Sequence, residues 1–250
     1  MTRILLSGCC GKMGRNVISV VNGRKDCEIV AGIDIVDDST LGFPVFQNYS
    51  EVNVKADVII DFSNPALLSD MLNFAVNSKT AVVLATTGLS DEQIKEVETA
   101  SEKIAVFFSY NMSLGVSLLC ELSKTAAKIL GTDFDVEIIE AHHNQKIDAP
   151  SGTAIMLGNA VKEMMPDAYF EYDRHSKREK RHTNEIGIHS VRGGTIVGEH
   201  EVIFAGNDEI VKLSHSARSK AIFAQGAVNA AAFLNGKGNG IYNMSDLVNE

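Results

Sequence analysis

A chain of 250 residues with 45% hydrophobic content can bury one or two substantial cores, and 32 acidic against 23 basic side chains leave it a formal charge of −9. That balance argues against a general affinity for nucleic acid or anionic membrane. No apolar run nears the ~20 residues of a membrane span, and Ser7-Gly8 interrupts the start before a signal-peptide core could form, so a cytoplasmic protein is expected. The cysteines, Cys9, Cys10, Cys27 and Cys120, lack zinc spacing and two are adjacent, so they read as reduced small apolar residues with no metal site.

Ile4-Leu5-Leu6, the loop Gly8-Cys9-Cys10-Gly11-Lys12-Met13-Gly14 and the segment 15–21 predict strand, glycine turn and helix. A dinucleotide needs this setting, because glycine lets the backbone approach the pyrophosphate, which rests on the helix N-terminus. The spacing is GxxGxxG, and the first glycine of GxGxxG would fall on Cys9. A second strand, 28–33, ends at Asp34, 20 residues past Gly14, where a carboxylate can accept the adenosine ribose hydroxyls. Ile35 and Val36 follow, with no arginine beside the carboxylate to neutralise a 2′-phosphate, so the residues lean to NAD over NADP. Lys12 and Arg15 are the cations that could still reach such a phosphate.

Strands at 57–62, 80–84 and 104–108 continue an α/β pattern, the first apolar enough for a parallel sheet covered on both faces. Ser90-Asp91-Glu92-Gln93 is a capping box between the last two. Ligands of a doubly wound sheet bind outside the carboxyl ends of its strands, which places Phe62, Thr86, Thr87 and Asn111 along a candidate nicotinamide channel. Near Ser113 the chain leaves this domain through a helix in which Leu118, Leu122, Ala126 and Ile129 recur at helical spacing.

The next segment has a different plan. An alternating strand at 135–141 runs into His142-His143-Asn144-Gln145-Lys146, and Ser151-Gly152-Thr153 opens a helix with Leu157, Ala160, Val161 and Met164 on one stripe. Two imidazoles, an ammonium and an anion-binding helix start within a few residues make a candidate site. Adjacent His142 and His143 point opposite ways from an extended backbone, so one faces a ligand while the other packs or orients it. Five cations in nine residues at 174–182 read as a solvated loop. Strands at 186–192 and 196–205 follow, and 206–209 turns into 210–214 as a hairpin. The helix 219–234 is apolar around most of its circumference, must be buried, and is assigned back to the first domain. The expected architecture is α/β: a Rossmann-type doubly wound parallel sheet formed by 1–113 plus 216–250, and a second α+β domain at 114–215 with a mixed or antiparallel sheet.

With these residues assembled, the chain resembles the 4-hydroxy-tetrahydrodipicolinate reductases, also called dihydrodipicolinate reductases, of the diaminopimelate route to lysine. The stretch Glu140-Ala141-His142-His143-Asn144-Gln145-Lys146-Ile147-Asp148-Ala149-Pro150-Ser151-Gly152-Thr153-Ala154 is similar to that family's signature nearly throughout. Asp61-Phe62, Thr86-Thr87-Gly88, Asn111-Met112-Ser113, Val191-Arg192-Gly193 and Gly198-Glu199-His200 extend the likeness along the chain. The resemblance implies an NAD(P)H-dependent oxidoreductase acting on a small dicarboxylate. By it, His142 is the catalytic acid and Lys146 the second proton donor, with His143, Ser151, Gly152 and Thr153 binding substrate. The cofactor, NADH in preference to NADPH, would lie on Gly8, Cys9, Cys10, Gly11, Lys12, Met13, Asp34, Phe62, Ala85, Thr86, Thr87, Ser109, Tyr110, Asn111 and Met112. It also implies a homotetramer joined through the second domain's sheet. Two departures stand out: Cys9 in the glycine loop, and Ile35 where members that bind NADP well often carry arginine. Another nicotinamide dehydrogenase would share the first domain without needing His142, Lys146 and Ser151-Gly152-Thr153 together, and a cofactor-sensing module would need a partner surface that the sequence does not display.

Overall fold

A computed structural model describes residues 1–36 and 38–249, and its chain divides into two compact units, Met1–Leu114 with Lys220–Glu250, and Gly115–Ser219. The first unit opens with β1 (Thr2–Ser7), α1 (Lys12–Asn22), β2 (Cys27–Ile33), β3 (Val45–Phe46), β4 (Val58–Asp61), α2 (Leu68–Ser78), β5 (Ala81–Leu84), α3 (Asp91–Ser101) and β6 (Ala105–Phe108). The short central strands are apolar on both sides because both faces of their sheet are covered. Ile4, Leu6, Val58, Ile60, Val83 and Phe107 share a core with Val17 and Val21 of α1. Leu5, Ile59, Val82, Leu84 and Val106 pack on the other face with Met71, Leu72 and Ala75 of α2 and Val97 of α3. Ser90 closes its capping box as expected, its hydroxyl accepting from the Gln93 amide and the Gln93 side chain accepting from its own.

The second unit is built from α4 (Leu114–Leu130), β7 (Asp135–His142), α5 (Gly152–Lys162), β8 (Tyr169–Glu171), β9 (Glu185–Arg192), β10 (Gly198–Ala205) and β11 (Ile210–Ala217). Its five strands run in the order β11-β10-β7-β9-β8. The hairpin β10–β11 is antiparallel and β7–β9 parallel, so the sheet is mixed. One face carries Val136, Ile138, Ile186, Ile188, Val202 and Phe204 against Leu119 and Ala127 of α4 and Leu157 and Val161 of α5. The helix expected beyond Ser113 forms, but a different stripe is buried. Val116, Leu119, Cys120 and Ala127 face inward, whereas Leu118, Leu122 and Ile129 are exposed. This helix is apolar on more than one side, so spacing alone did not choose its buried face.

The basic stretch 174–182 is also different from a merely solvated loop. Arg174 pairs with buried Glu185, Lys177 with Glu171, and Arg181 reaches Asp135, Glu137 and the Val136 carbonyl. Asp135 and Glu137 early in β7, Glu171 at the end of β8 and Glu185 at the start of β9 meet these cations, a match invisible until the strands are placed side by side.

The chain then returns to the first unit with α6 (Ala221–Leu234), β12 (Gly240–Tyr242) and α7 (Met244–Val248). β12 completes a seven-stranded sheet in the order β12-β6-β5-β4-β1-β2-β3, in which every pairing is parallel. α6 lies beside α1 against β1, β4, β5 and β6, with Ala224, Ala227, Val228, Ala230 and Ala231 buried. Its small residues permit close approach: a Cβ on Gly226 would lie 1.6 Å from the Met112 carbonyl oxygen. Gly226→Ala is therefore expected to destabilise the protein by about 1–3 kcal/mol or more, lowering Tm by roughly 3–10 °C. Gly23→Ala, whose Cβ would meet nothing nearer than 3.5 Å, should change the melt little.

Candidate active site

In the first unit the sheet's carboxyl edge gathers the residues expected around a cofactor. Gly8 leaves β1 at φ +77°, with Phe62 O 2.6 Å from where a Cβ would stand, and a Cβ on Gly14 would lie 2.3 Å from Gly8 O. The loop can therefore turn tightly into α1 only without side chains at these positions. Gly11 caps α1 with no side-chain acceptor, so the first-turn amides of Lys12, Met13 and Gly14 lack an intrahelical partner and form a cradle suited to a phosphate. Asp34 follows β2 directly, its Oδ2 accepting from the Cys10 amide at 2.9 Å and its Oδ1 from the Val36 amide. Its carboxylate thereby stands beside the cradle.

Cys9 points the other way. It is fully buried, packed against Gly32, and burial pushes its thiol up to about 12. Cys9, Cys10 and Asp34 do bring their ligand atoms within 4.8 Å of one another. A neutral, enclosed thiol is nevertheless a packing group, and only the backbone of Cys9 can address a ligand. Met112 is likewise a core side chain. Arg15 donates to Asp38 at 2.6 Å, and Asp38 is held below the usual carboxylate range by Thr40 first and Arg15 after it.

Thr86 has a structural duty. Its hydroxyl donates to buried Asp61 at 2.6 Å, and Ser63 donates to the same carboxylate at 2.5 Å, so the exits of β4 and β5 are tied together. Thr86, Thr87, Phe108, Ser109 and Tyr110 line a cavity of about 240 Å³. Phe62 packs at the edge of the core, and Asn111 Oδ1 accepts from the Ser113 amide.

In the second unit the alternation that buries Val136 and Ile138 continues through Glu140 and His142, so both polar side chains enter the helix-covered face. Glu140 is fully buried. Its Oε2 lies 2.6 Å from His142 Nδ1 and 2.8 Å from Arg192 Nη1; its Oε1 accepts from Arg192 Nη2 at 2.7 Å and the Ser151 amide at 3.1 Å. Burial alone would raise this carboxyl, but hydrogen bonds from Arg192, His142, Ser190 and Ser151 bring it down to about 2. It is an anion at every working pH.

Ser151 is the N-cap of α5. Its hydroxyl accepts from the Ala154 amide and sits 3.0 Å from His200 Nε2, so side chain and amide are both committed inside the protein. His200, packed edge-on to His142 at 5.2 Å, is pushed by burial, and then by His142, down to about 4 and stays neutral. Gly152 by contrast is exposed, with open space where a side chain would stand, and Thr153 is half-buried beside it. Lys146 pairs with Asp148 at 2.8 Å, an ammonium that holds that carboxyl below its usual range. The Asp148 carbonyl accepts from Arg192 Nη2 at 2.6 Å. A line of contacts thus runs from Lys146 through Asp148, Arg192 and Glu140 to His142 and the start of α5. His143 is half-buried in the adjoining turn, where its carbonyl accepts from the Lys146 amide.

Sequence reasoning assigned no role to Glu140, Arg192 or His200. The signal was present: Glu140 and His142 occupy inward positions of the same alternation as Val136 and Ile138, and a charge at such a position needs a partner.

Two family models divide the chain between them: the N-terminal domain of dihydrodipicolinate reductase matches residues 2–112 and its C-terminal domain matches residues 115–248. The 4-hydroxy-tetrahydrodipicolinate reductase of Clostridium novyi is 47% identical over 249 residues, covering 99% of this chain and 98% of its own. That of Caldanaerobacter subterraneus subsp. tengcongensis is 49% identical over 249 residues, with the same coverage. Among solved structures, a dipicolinate-bound dihydrodipicolinate reductase from Paenisporosarcina sp. TG-14 superposes with a TM-score of 0.81 at 27% identity, covering 98% of this chain and 99% of that one. Matched along both units, the chain belongs to the dihydrodipicolinate reductase family.

Proposed function

We infer that the protein is the NAD(P)H-dependent oxidoreductase that reduces 4-hydroxy-tetrahydrodipicolinate to tetrahydrodipicolinate, with loss of water, in the diaminopimelate route of lysine biosynthesis. The observation that carries this reading is His142, held on a buried carboxylate in the same contact network as Lys146 and the open start of α5. A generic dehydrogenase has no need of that network.

When bound, the reduced nicotinamide cofactor supplies hydride to an electron-poor carbon of the substrate ring. The first-turn amides of α1 hold its pyrophosphate and Asp34 its ribose hydroxyls, with Phe62, Ala85, Thr86, Thr87, Ser109, Tyr110, Asn111 and Met112 along the remaining strand exits. The substrate carries two carboxylates, and the amides of Gly152 and Thr153 with the Thr153 hydroxyl receive one of them. Ser151 supports that site by fixing the start of the helix. His143 lines it, and the Lys146 ammonium draws in the dicarboxylate and faces its ring nitrogen. Reduction leaves electron density on a ring carbon; a proton passes there from His142 as the N–H bond breaks and a C–H bond forms. Loss of cofactor absorbance with the product of the preceding pathway enzyme tests the assignment directly.

The same reading makes NADH bind at least as tightly as NADPH. Asp34 and Asp38 are two anions at the exit of β2, and Arg15 is already matched by Asp38. Titration of both reduced cofactors into the protein checks this; Asp38→Ala, by freeing Arg15, should shift the ratio toward NADPH by about 3- to 10-fold.

Native assembly as a homotetramer of cytoplasmic subunits completes the proposal. Its support is the uncovered face of the second sheet, where Ile139 and Val191 are exposed. Light scattering should return about four times the 27.0 kDa chain mass.

Three substitutions separate chemistry from binding. His142→Gln should lower kcat by ~10²- to 10⁴-fold with little change in KM. Thr153→Val should raise KM more than it lowers kcat, because its hydroxyl serves ground and transition states alike. Lys146→Ala should damage both terms. Equal, mild losses in all three, with unchanged melts, would remove the physical support for this site.

A further inference from the structure

We propose that Glu140 is a positioning residue of the reaction, its Arg192-clamped carboxylate fixing His142 with a proton on Nδ1 so that Nε2 is the nitrogen that exchanges protons with the substrate. The inference rests on the reading of His142 as the acid and adds the group that orients it.

The argument begins with placement. Glu140 sits at a core position of β7, where an ionised carboxylate is tolerated only if its oxygens are matched. Two contacts from the Arg192 fork, one from the Ser151 amide, one from His142 Nδ1 and the Ser190 side chain match them. Arg192 is the clamp because its planar guanidinium meets both carboxylate oxygens at once, at 2.8 and 2.7 Å. A carboxylate so paired stays ionised and can only accept, so the 2.6 Å contact requires the proton on Nδ1. The neutral ring then has its lone pair on Nε2, and the charged ring gives its second proton from Nε2. At that nitrogen the backbone makes room: a Cβ on Gly198 would stand 3.1 Å from Nε2, so residue 198 without a side chain leaves it clear.

The groups facing the ring come from every neighbouring element. Glu140 lies on its own strand, Arg192 on β9, His200 on β10 and Ser151 at the start of α5, while His143 and Lys146 lie in the following loop and His215 on β11 beyond His200. Of these, Glu140 alone is an acid; the other carboxylate of the network, Asp148, is an anion paired with Lys146. Removing the Glu140 charge should therefore weaken the hold on an imidazolium and release the neutral ring to flip between tautomers.

Nitrogen-15 spectra of histidine-labelled full-length protein, with His142 assigned by its loss in His142→Gln, should show the neutral ring protonated at Nδ1. The opposite tautomer overturns the proposal, and this arm needs no Glu140 variant. In the second arm Glu140→Gln, checked by thermal melt and NADH titration, should lose ~10²- to 10⁴-fold in kcat with KM within about 3-fold. The same spectra of Glu140→Gln should show the neutral His142 ring shared between the Nδ1- and Nε2-protonated forms, and Glu140→Asp should restore the Nδ1-protonated form. A fall in kcat that merely follows the fall in melting temperature, with the Nδ1-protonated form retained in Glu140→Gln, marks Glu140 as a structural clamp only and overturns the proposal. If the unaltered protein does not turn over the substrate, the functional reading fails by itself, while the tautomer measurement still decides whether Glu140 orients His142.

Discussion

A carboxylate enclosed by protein has to be matched atom by atom, and the Glu140 side chain is the constraint from which the second unit's site follows. Arg192 comes from β9, the Ser151 amide from the start of α5, and His142 from two residues along β7. Each of these groups belongs to a different part of the unit, so satisfying one carboxylate fixes a strand pair, a helix start and an imidazole at the same time. Arg192 extends the constraint to the loop of Lys146 through the Asp148 carbonyl. Its remaining nitrogen, Nε, is buried without a partner among the described residues, while Nη1 and Nη2 hold Glu140 and also donate to the Val191 and Asp148 carbonyls.

The first unit solves a different problem by leaving groups unmatched. α1 starts at a glycine with no capping side chain, and its first amides stay available to an anion. Strand exits nearby are instead tied among themselves: Thr86 and Ser63 to Asp61, Tyr49 to Ser7, Asn111 to the Ser113 amide. Rigid surroundings and an unsatisfied helix start are complementary requirements, since a cradle that could collapse onto itself would not remain open for a phosphate.

How far the sequence discloses this depends on whether the information is local. The parallel sheet, the glycine turn, the capping box at Ser90 and the all-round apolar α6 are local patterns, and each is legible from periodicity and turn chemistry. Strands of two or three residues such as β3, β8 and β12 carry too little pattern to be seen, and the buried stripe of α4 could not be chosen among several apolar ones. His142, Lys146 and the start of α5 stand out because they are close in sequence. Arg192 and His200 lie about fifty residues from their partners, and only strand pairing brings them to Glu140. The stretch 174–182 is the largely exposed loop its composition suggests, but the pairing of Arg174, Lys177 and Arg181 stayed hidden for the same reason: their acidic counterparts are on neighbouring strands.

Register is what converts those distant residues into a site. In the parallel pair β7–β9, His142 stands opposite Arg192 and Glu140 opposite Ser190, so Arg192 reaches Glu140 diagonally across the ladder. In the antiparallel pair β7–β10, Glu140 stands opposite His200, which is in turn opposite His215. A slip of one residue in either pairing would turn Val136 and Ile138, and with them Glu140 and His142, away from the helices. The apolar half of β7 thus secures the polar half: the aliphatic side chains that could be packed in only one register also decide which imidazole meets which carboxylate. Arg181 supports that register at the other end of β7, binding Asp135, Glu137 and the Val136 carbonyl. Arginines at both ends therefore hold β7 and β9 in step, and the geometry at His142 inherits its rigidity from a sheet that is pinned at its start and clamped at its exit.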